Sequence, residues 1–203
     1  MADVAPDVEA VLDIMGVDRV CVGGSSGGGL RALACAALLP NRAIATASLC
    51  SSAPFSADGL DYMTGMGEAN IAELGLAITG EEALRPFVDE AFAGMADVTA
   101  HQLVESLATL LPPVDRACLT GAVGQDFSDD VMYAASGTTD GWVDDDLAFV
   151  KPWGFDLDAI EVPLALWHGT ADLMVPIAHG RWLSSRLPNA QAPTLRRGRG
   201  ICR

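Results

Sequence analysis

The stretch VCVGGSSGGGLRALACAALLP, Val20 to Pro40, runs from a short apolar segment through seven consecutive Gly and Ser residues into a run of small helix-forming side chains. Glycines at such a turn let a strand and the following helix pack backbone against backbone, since no Cβ intervenes. The segment therefore demands a strand that passes directly into a helix lying on it. Two serines sit side by side in the turn, each in a G-x-S-x-G frame: Gly23, Ser25 and Gly27 form one, and Gly24, Ser26 and Gly28 form the other.

The surrounding sequence extends this unit into an α/β pattern. Val8, Val11, Leu12 and Met15 recur at i, i+3, i+4 and i+7, which predicts an amphipathic helix over residues 6–15 ending at Gly16. Val20 to Val22 reads as a buried strand, residues 28–39 as a helix stopped by Pro40, and Ala43 to Leu49 as a second strand. Helix, strand, helix, strand at this spacing implies parallel strands joined by right-handed crossovers. From about Ser56 to Leu147 the pattern is mostly helical, with clusters such as Ile71, Leu74 and Ile78. Val162 to Trp167 then resumes the strands, followed by a helix at about Ile177 to Leu187. The expected organisation is a core from residues 1–55 and 148–203 with a helical cap inserted at 56–147.

Composition narrows the partners. Half of the 203 residues are hydrophobic and the formal charge is -15. An excess of acidic side chains repels nucleic acid and anionic membranes, so neither is an expected partner. No apolar run reaches the length of a membrane span and the first residues are acidic, so a cytoplasmic protein is expected. Cys21, Cys35, Cys50, Cys118 and Cys202 are scattered singly and read as small buried hydrophobes rather than a metal or disulfide set.

A serine hydroxyl reacts only when a base takes its proton and donors stabilise the oxyanion. A sharp strand-to-helix turn supports this by lifting the side chain out of the sheet and aiming helix N-terminal amides at the developing charge. Here the chain resembles the α/β-hydrolase superfamily, in its cap-bearing branch of serine esterases and proline-iminopeptidase-like enzymes. In those relatives the elbow reads G-x-S-x-G-G, followed by x-x-A-L-A and a helix ending in L-P. Matching ALACAALLP to that helix sets Ser26 at the elbow tip, with Ser25 as the alternative, and makes the Gly27 N–H one oxyanion donor. A dinucleotide loop is the competing reading, since Gly27, Gly29 and Ala32 fit a loose G-x-G-x-x-A form. It expects an acidic residue at the end of the next strand, and Ala43 to Ser52 contains none.

The same resemblance assigns the acid. LWHGTADLMVP matches the family's strand, H-G, two residues, Asp and V-P, so Asp172 is the triad acid; a turn or helix cap is its bland reading, and Asp58 is another candidate. The family order is Ser, acid, His, and no cofactor or metal is implied. None of the three histidines fits the base. His101 lies in the cap region, His168 matches the structural H-G, and His179 opens a helix and is expected at the surface or as a cap.

Relatives carry P-G-E-G-H-L-S beyond the acid, where this chain ends in RGRGICR, Arg197 to Arg203. A GC-rich coding of the family motif, read one base later, encodes that tail and sets Ile201 where the histidine belongs. The chain is accordingly expected to be a fragment that lacks the family's N-terminal strands and its histidine segment, leaving Val20–Val22 at an open sheet edge. The resemblance implies acyl transfer on an ester or amide of a small-molecule substrate, the expected partner, with activity weak or absent in this form. The alternative is a non-catalytic α/β protein holding a ligand under the cap. Trp142, Trp153, Phe155 and Tyr62 are the aromatic candidates for the pocket wall.

Overall fold

The computed structural model describes residues 1–95, 98–187 and 189–196, with side chains described up to residue 190. Four parallel strands form one sheet in the order β1 (Val20–Ser25), β2 (Ala43–Leu49), β3 (Leu164–Gly169) and β4 (Ala190–Arg196). Two helices precede β2, α1 (Val4–Met15) and α2 (Gly27–Leu38). Six more separate β2 from β3: α3 (Glu68–Thr79), α4 (Glu81–Ala93), α5 (Ala100–Ser106), α6 (Pro113–Cys118), α7 (Gly121–Ala134) and α8 (Asp140–Phe149). The last, α9 (Ile177–Arg186), joins β3 to β4. Among the described residues no helix is long and apolar enough to cross a membrane.

Local chemistry explains the element ends. α1 stops at Gly16, which takes a left-handed φ of 65° and returns its N–H to the Asp13 carbonyl. Arg42, just before β2, then ties the end of α1 to the sheet: its guanidinium donates to the Val17 and Asp18 carbonyls and to the Asp13 carboxylate. α2 is nearly all buried because its Ala, Leu and Gly residues face either the sheet or α1. Leu30 and Leu33 of α2 join Leu164 and Leu166 of β3 and Leu183 of α9 in the main core.

The core side of the sheet is therefore set by parity along the strands. Thr46, Ser48, Leu164, Leu166 and His168 point to the helix-covered face and are buried. Several residues of the other parity are exposed, including Cys21, Gly23 and Trp167, the last 41% exposed. This corrects the expectation that all the cysteines are buried: Cys35 and Cys50 are, Cys118 is half-buried, Cys21 is exposed, and Cys202 lies outside the described residues.

Two further differences have backbone causes. β1 continues past Val22 to Ser25 because Gly23, Gly24 and Ser25 keep pairing with Ala47, Ser48 and Leu49. β4 has no alternating pattern in the sequence, yet it pairs with β3 through a shifted register between Ala165 and Trp167. That shift falls where Pro193 has no N–H to give. Among the described residues β1 pairs only with β2, so it is an edge strand, as expected. The tail at Arg197–Arg203 lies outside the described residues.

The junction of β1 and α2 is tight. A Cβ on Gly24 would fall against the Gly28 carbonyl and the Gly29 nitrogen, whereas one on Gly28 would meet nothing within 4 Å. Gly24→Ala should cost about 3 kcal/mol through forced separation of strand and helix. Gly28→Ala, in the first turn of α2, should be neutral or stabilising by up to about 1 kcal/mol. Urea unfolding midpoints of the two variants check this; equal effects would contradict the close approach.

Candidate active site

Ser26 occupies the hinge between β1 and α2. Its N–H donates to the Leu49 carbonyl of the neighbouring strand, and its own carbonyl accepts from Gly29 in the first turn of α2. Meeting both bonds bends the chain into φ 53° and ψ -128°, a conformation rarely taken by a residue with a Cβ. Ser26 does not cap its own helix with its side chain. The N–H of Gly27, the first residue of α2, has no acceptor within the helix.

Ser26 and Gly27 line a cavity of about 210 Å³. Tyr62, Glu73 and Asp146 contribute to its wall, as do Phe149 and Val175. Ser25 does not line it: as the last residue of β1 it shares the parity of the exposed Cys21 and Gly23. Of the four aromatic candidates only Tyr62 borders the cavity. Trp153 and Phe155 stack on each other at 5.4 Å along a different recess, and Trp142 packs between the inserted helices.

Asp172 lies in the loop after β3 and is 4% exposed. Its Oδ1 accepts from the amides of Met174 and Val175, both at 2.9 Å, and thereby fixes the turn that leads into α9. Its Oδ2 is buried and, among the described residues, accepts no hydrogen bond of ordinary geometry. Burial pushes the carboxyl up to about 6, against the two amides, which favour the charged form. The Cys50 thiol lies beside it and is pushed up to about 11 by the same burial, so it stays neutral. Cys50 follows β2 and, with φ 48°, is the second described non-glycine residue in left-handed conformation. Asp58, the other acid candidate, borders the recess of Trp153 and Phe155 rather than the Ser26 cavity.

The histidines are committed elsewhere. His101 is exposed, 3.4 Å from Glu105. His168 places Nε2 2.7 Å from the Val175 carbonyl, and burial holds its pKa below the usual imidazole value. It therefore donates to that carbonyl as a neutral ring, and its 3.8 Å approach to Asp172 Oδ2 is no ion pair. His179 corrects an expectation: far from the surface, it is fully buried at the start of α9. Its Nδ1 accepts from the Ala53 amide and its Nε2 donates to the Tyr62 carbonyl, clamping the loop after β2 onto α9. Its edge also meets the Tyr62 ring at 4.7 Å. Three ordered partners, none of them charged, explain why an imidazole is buried there.

Sequence reasoning missed Glu73 of α3 and Asp146 of α8. Asp146 is 6% exposed, and burial with the neighbouring Glu73 carboxylate pushes it up to about 8. Glu73 accepts from the Trp142 indole at 2.5 Å. The signal available was the i, i+4 pairing of Trp142 with Asp146 on one helix, which is silent about α3. Among the described residues no cluster of His, Cys, Asp or Glu could hold a metal ion.

Asp172 gives a pH prediction with a definite sign. An unfolded aspartate titrates near 3.9, so between about pH 4 and 6 the folded chain holds the Asp172 proton more tightly. Its contribution is present below pH ~4 and is lost as pH rises through about 6, amounting to up to about 3 kcal/mol. His179, lowered from 6.5 to about 4, has the opposite slope: its contribution is present above pH ~6.5 and lost as pH falls. Asp172→Asn should therefore gain stability relative to the parent as pH is raised from about 4 to 7, with the His179 slope cancelling in the difference. Urea midpoints across that range measure it, and a difference independent of pH would contradict the raised carboxyl.

Comparison with known proteins agrees with this architecture. The model of the alpha/beta hydrolase fold family matches residues 1–195. The lipase-designated protein lip1 of Acinetobacter baumannii AYE is similar in structure, with a TM-score of 0.64 at 17% identity over 98% of this chain and 60% of that one. A hydrolase from Oleispira antarctica gives 0.60 at 19% identity, covering 98% of this chain and 64% of that one. The meta-cleavage product hydrolase of Pseudomonas fluorescens IP01 gives 0.60 at 13% identity, with 96% and 62% covered. This chain thus spans less than two thirds of the length of each. No curated protein matches it. The chain belongs to the α/β-hydrolase family.

Proposed function

We propose that the chain carries the nucleophile and acid of a serine hydrolase that cleaves an ester or amide of a small molecule through an acyl-enzyme. The observation that supports this most is Ser26, held at φ 53° at the head of α2 and bordering the cavity. In this reading its Oγ attacks the acyl carbonyl, and the Gly27 N–H with the α2 N-terminus stabilises the oxyanion. A base takes the serine proton and returns it to the leaving alcohol or amine, and water then releases the acyl group. Asp172 orients that base through Oδ2, and a protonated imidazole there would pull the carboxyl pKa back down. The six inserted helices act as the cap over the substrate.

The base is what this chain lacks, because its three histidines are exposed or already bonded. Losing the base of a triad costs on the order of 10⁶ in kcat. We therefore assign this chain little turnover. Those committed histidines also favour the second reading, a non-catalytic protein that binds a small ligand in the same cavity.

Recoding residues 197–203 to Pro-Gly-Glu-Gly-His-Leu-Ser tests the proposal. The recoded chain should react with a fluorophosphonate about 10²- to 10⁴-fold faster than the parent, the usual contribution of a general base. Peptide mapping should find the adduct on Ser26, and within the recoded chain Ser26→Ala should go unlabelled while Ser25→Ala is labelled as fast as the recoded chain itself. Labelling on Ser25, or none in the recoded chain, would overturn the assignment.

A further inference from the structure

Helix α8 reaches the elbow through two side chains a turn apart. Asp145 pairs with Arg31 of α2, and Phe149, four residues on, lays its ring against Gly27, four residues before Arg31. Matching i, i+4 steps on the two helices seat α8 on the first turns of α2. The fit at Gly27 leaves no slack. A Cβ built there would stand 2.8 Å from Phe149 Cζ and 3.2 Å from Cε1, inside the roughly 3.5 Å at which carbons touch. Glycine beside the elbow serine is what admits the ring.

That ring is also part of the wall of the cavity that Ser26 and Gly27 border. It is held in place by two clusters at once, the main core and the group of Tyr62, Met66 and Leu74. The carboxyls in the wall are already engaged, since Glu73 and Asp146 meet the Trp142 indole and each other. What the cavity offers a ligand is therefore mostly apolar surface of limited length. Its volume of about 210 Å³ lies below the roughly 300–1,000 Å³ that hold drug-sized ligands. At ~30 Å³ per water-sized group it takes roughly seven heavy atoms, a six-carbon acyl group with its carbonyl oxygen.

We propose that Phe149 is a specificity-determining residue, confining the group bound beside Ser26 to a neutral acyl chain of roughly six carbons or fewer. The word acyl rests on the reading of Ser26 as nucleophile; the limit on length rests on the cavity alone. The Arg31–Asp145 pair fixes where the ring stands, and Gly27 makes room for it. A longer chain meets the ring and leaves its end outside the cavity, where further methylenes gain nothing.

Unreactive methyl ketones test this on the chain as it stands, with 2-butanone, 2-hexanone and 2-octanone followed by NMR titration. Each buried methylene strengthens binding about fourfold, so the parent should gain about 15-fold from butanone to hexanone and nothing further at octanone. In Phe149→Ala the gain should continue, with octanone bound about tenfold more tightly than hexanone. Phe149→Leu keeps a larger side chain at the end of α8, guards against a variant that fails to fold, and should move the limit the same way. Phe155→Ala, the same truncation in the recess shared with Trp153, should leave the parent's limit in place. A limit that moves only with Phe149 supports the assignment whether or not Ser26 takes a fluorophosphonate. A limit unmoved in both Phe149 variants, or moved equally by Phe155→Ala, overturns it even if Ser26 is labelled. So does a parent that binds no ketone, or one whose affinity climbs through octanone.

Discussion

The contact on which the site depends is the approach of β1 to α2 at Gly24 and Gly28. With no side chain between them the helix starts directly on the end of the strand, and the chain has one residue in which to reverse. Ser26 is that residue. It gives its N–H to β2 and its carbonyl to α2, and those two bonds hold it at a backbone angle that costs on the order of 1 to 3 kcal/mol. A looser turn would remove the strain and let the hydroxyl swing away from the cavity. Strain, exposure of the serine and a Gly27 amide with no acceptor inside its helix are thus one geometric event.

The rest of the site is built from buried polar groups, each carried by a specific partner. Asp172 is tolerated because two amides meet Oδ1, and His179 because it bridges Ala53 and Tyr62. The His179 clamp matters for position as well as stability. It joins α9 to the loop that carries Tyr62 into the cavity wall, so α9 and that wall are tied to each other. Asp146 stands apart, since its buried Oδ2 lacks such a partner among the described residues.

Much of the core was legible because it is written in local patterns. β2 has the boundaries that its apolar run predicts, and α1 ends at the glycine that the helix stop predicts. The α/β class followed from the alternation of those elements. What escaped was long-range. β1 runs three residues past its apolar part because pairing with β2, not side-chain pattern, decides where it ends. His179 looked like a surface residue at a helix start, and only the loop at Ala53 and Tyr62, over a hundred positions away, makes it core. The Glu73 and Asp146 pair joins two helices that no sequence period connects, and the motif match to Asp172 said nothing of the Cys50 thiol beside it.

The fold stores backbone strain at Ser26, the residue that turns β1 into α2. Replacing Ser26 with glycine measures this without any substrate. Glycine adopts φ 53° freely, so Ser26→Gly should raise unfolding free energy by roughly 1 kcal/mol even after its greater unfolded-state entropy is counted. Ser25→Gly, in extended strand conformation, should lower it by about 0.5 to 1 kcal/mol. Urea denaturation of both variants beside the parent gives the answer. Gain at 26 with loss at 25 is the result predicted; equal loss at both positions would contradict a strained elbow at Ser26.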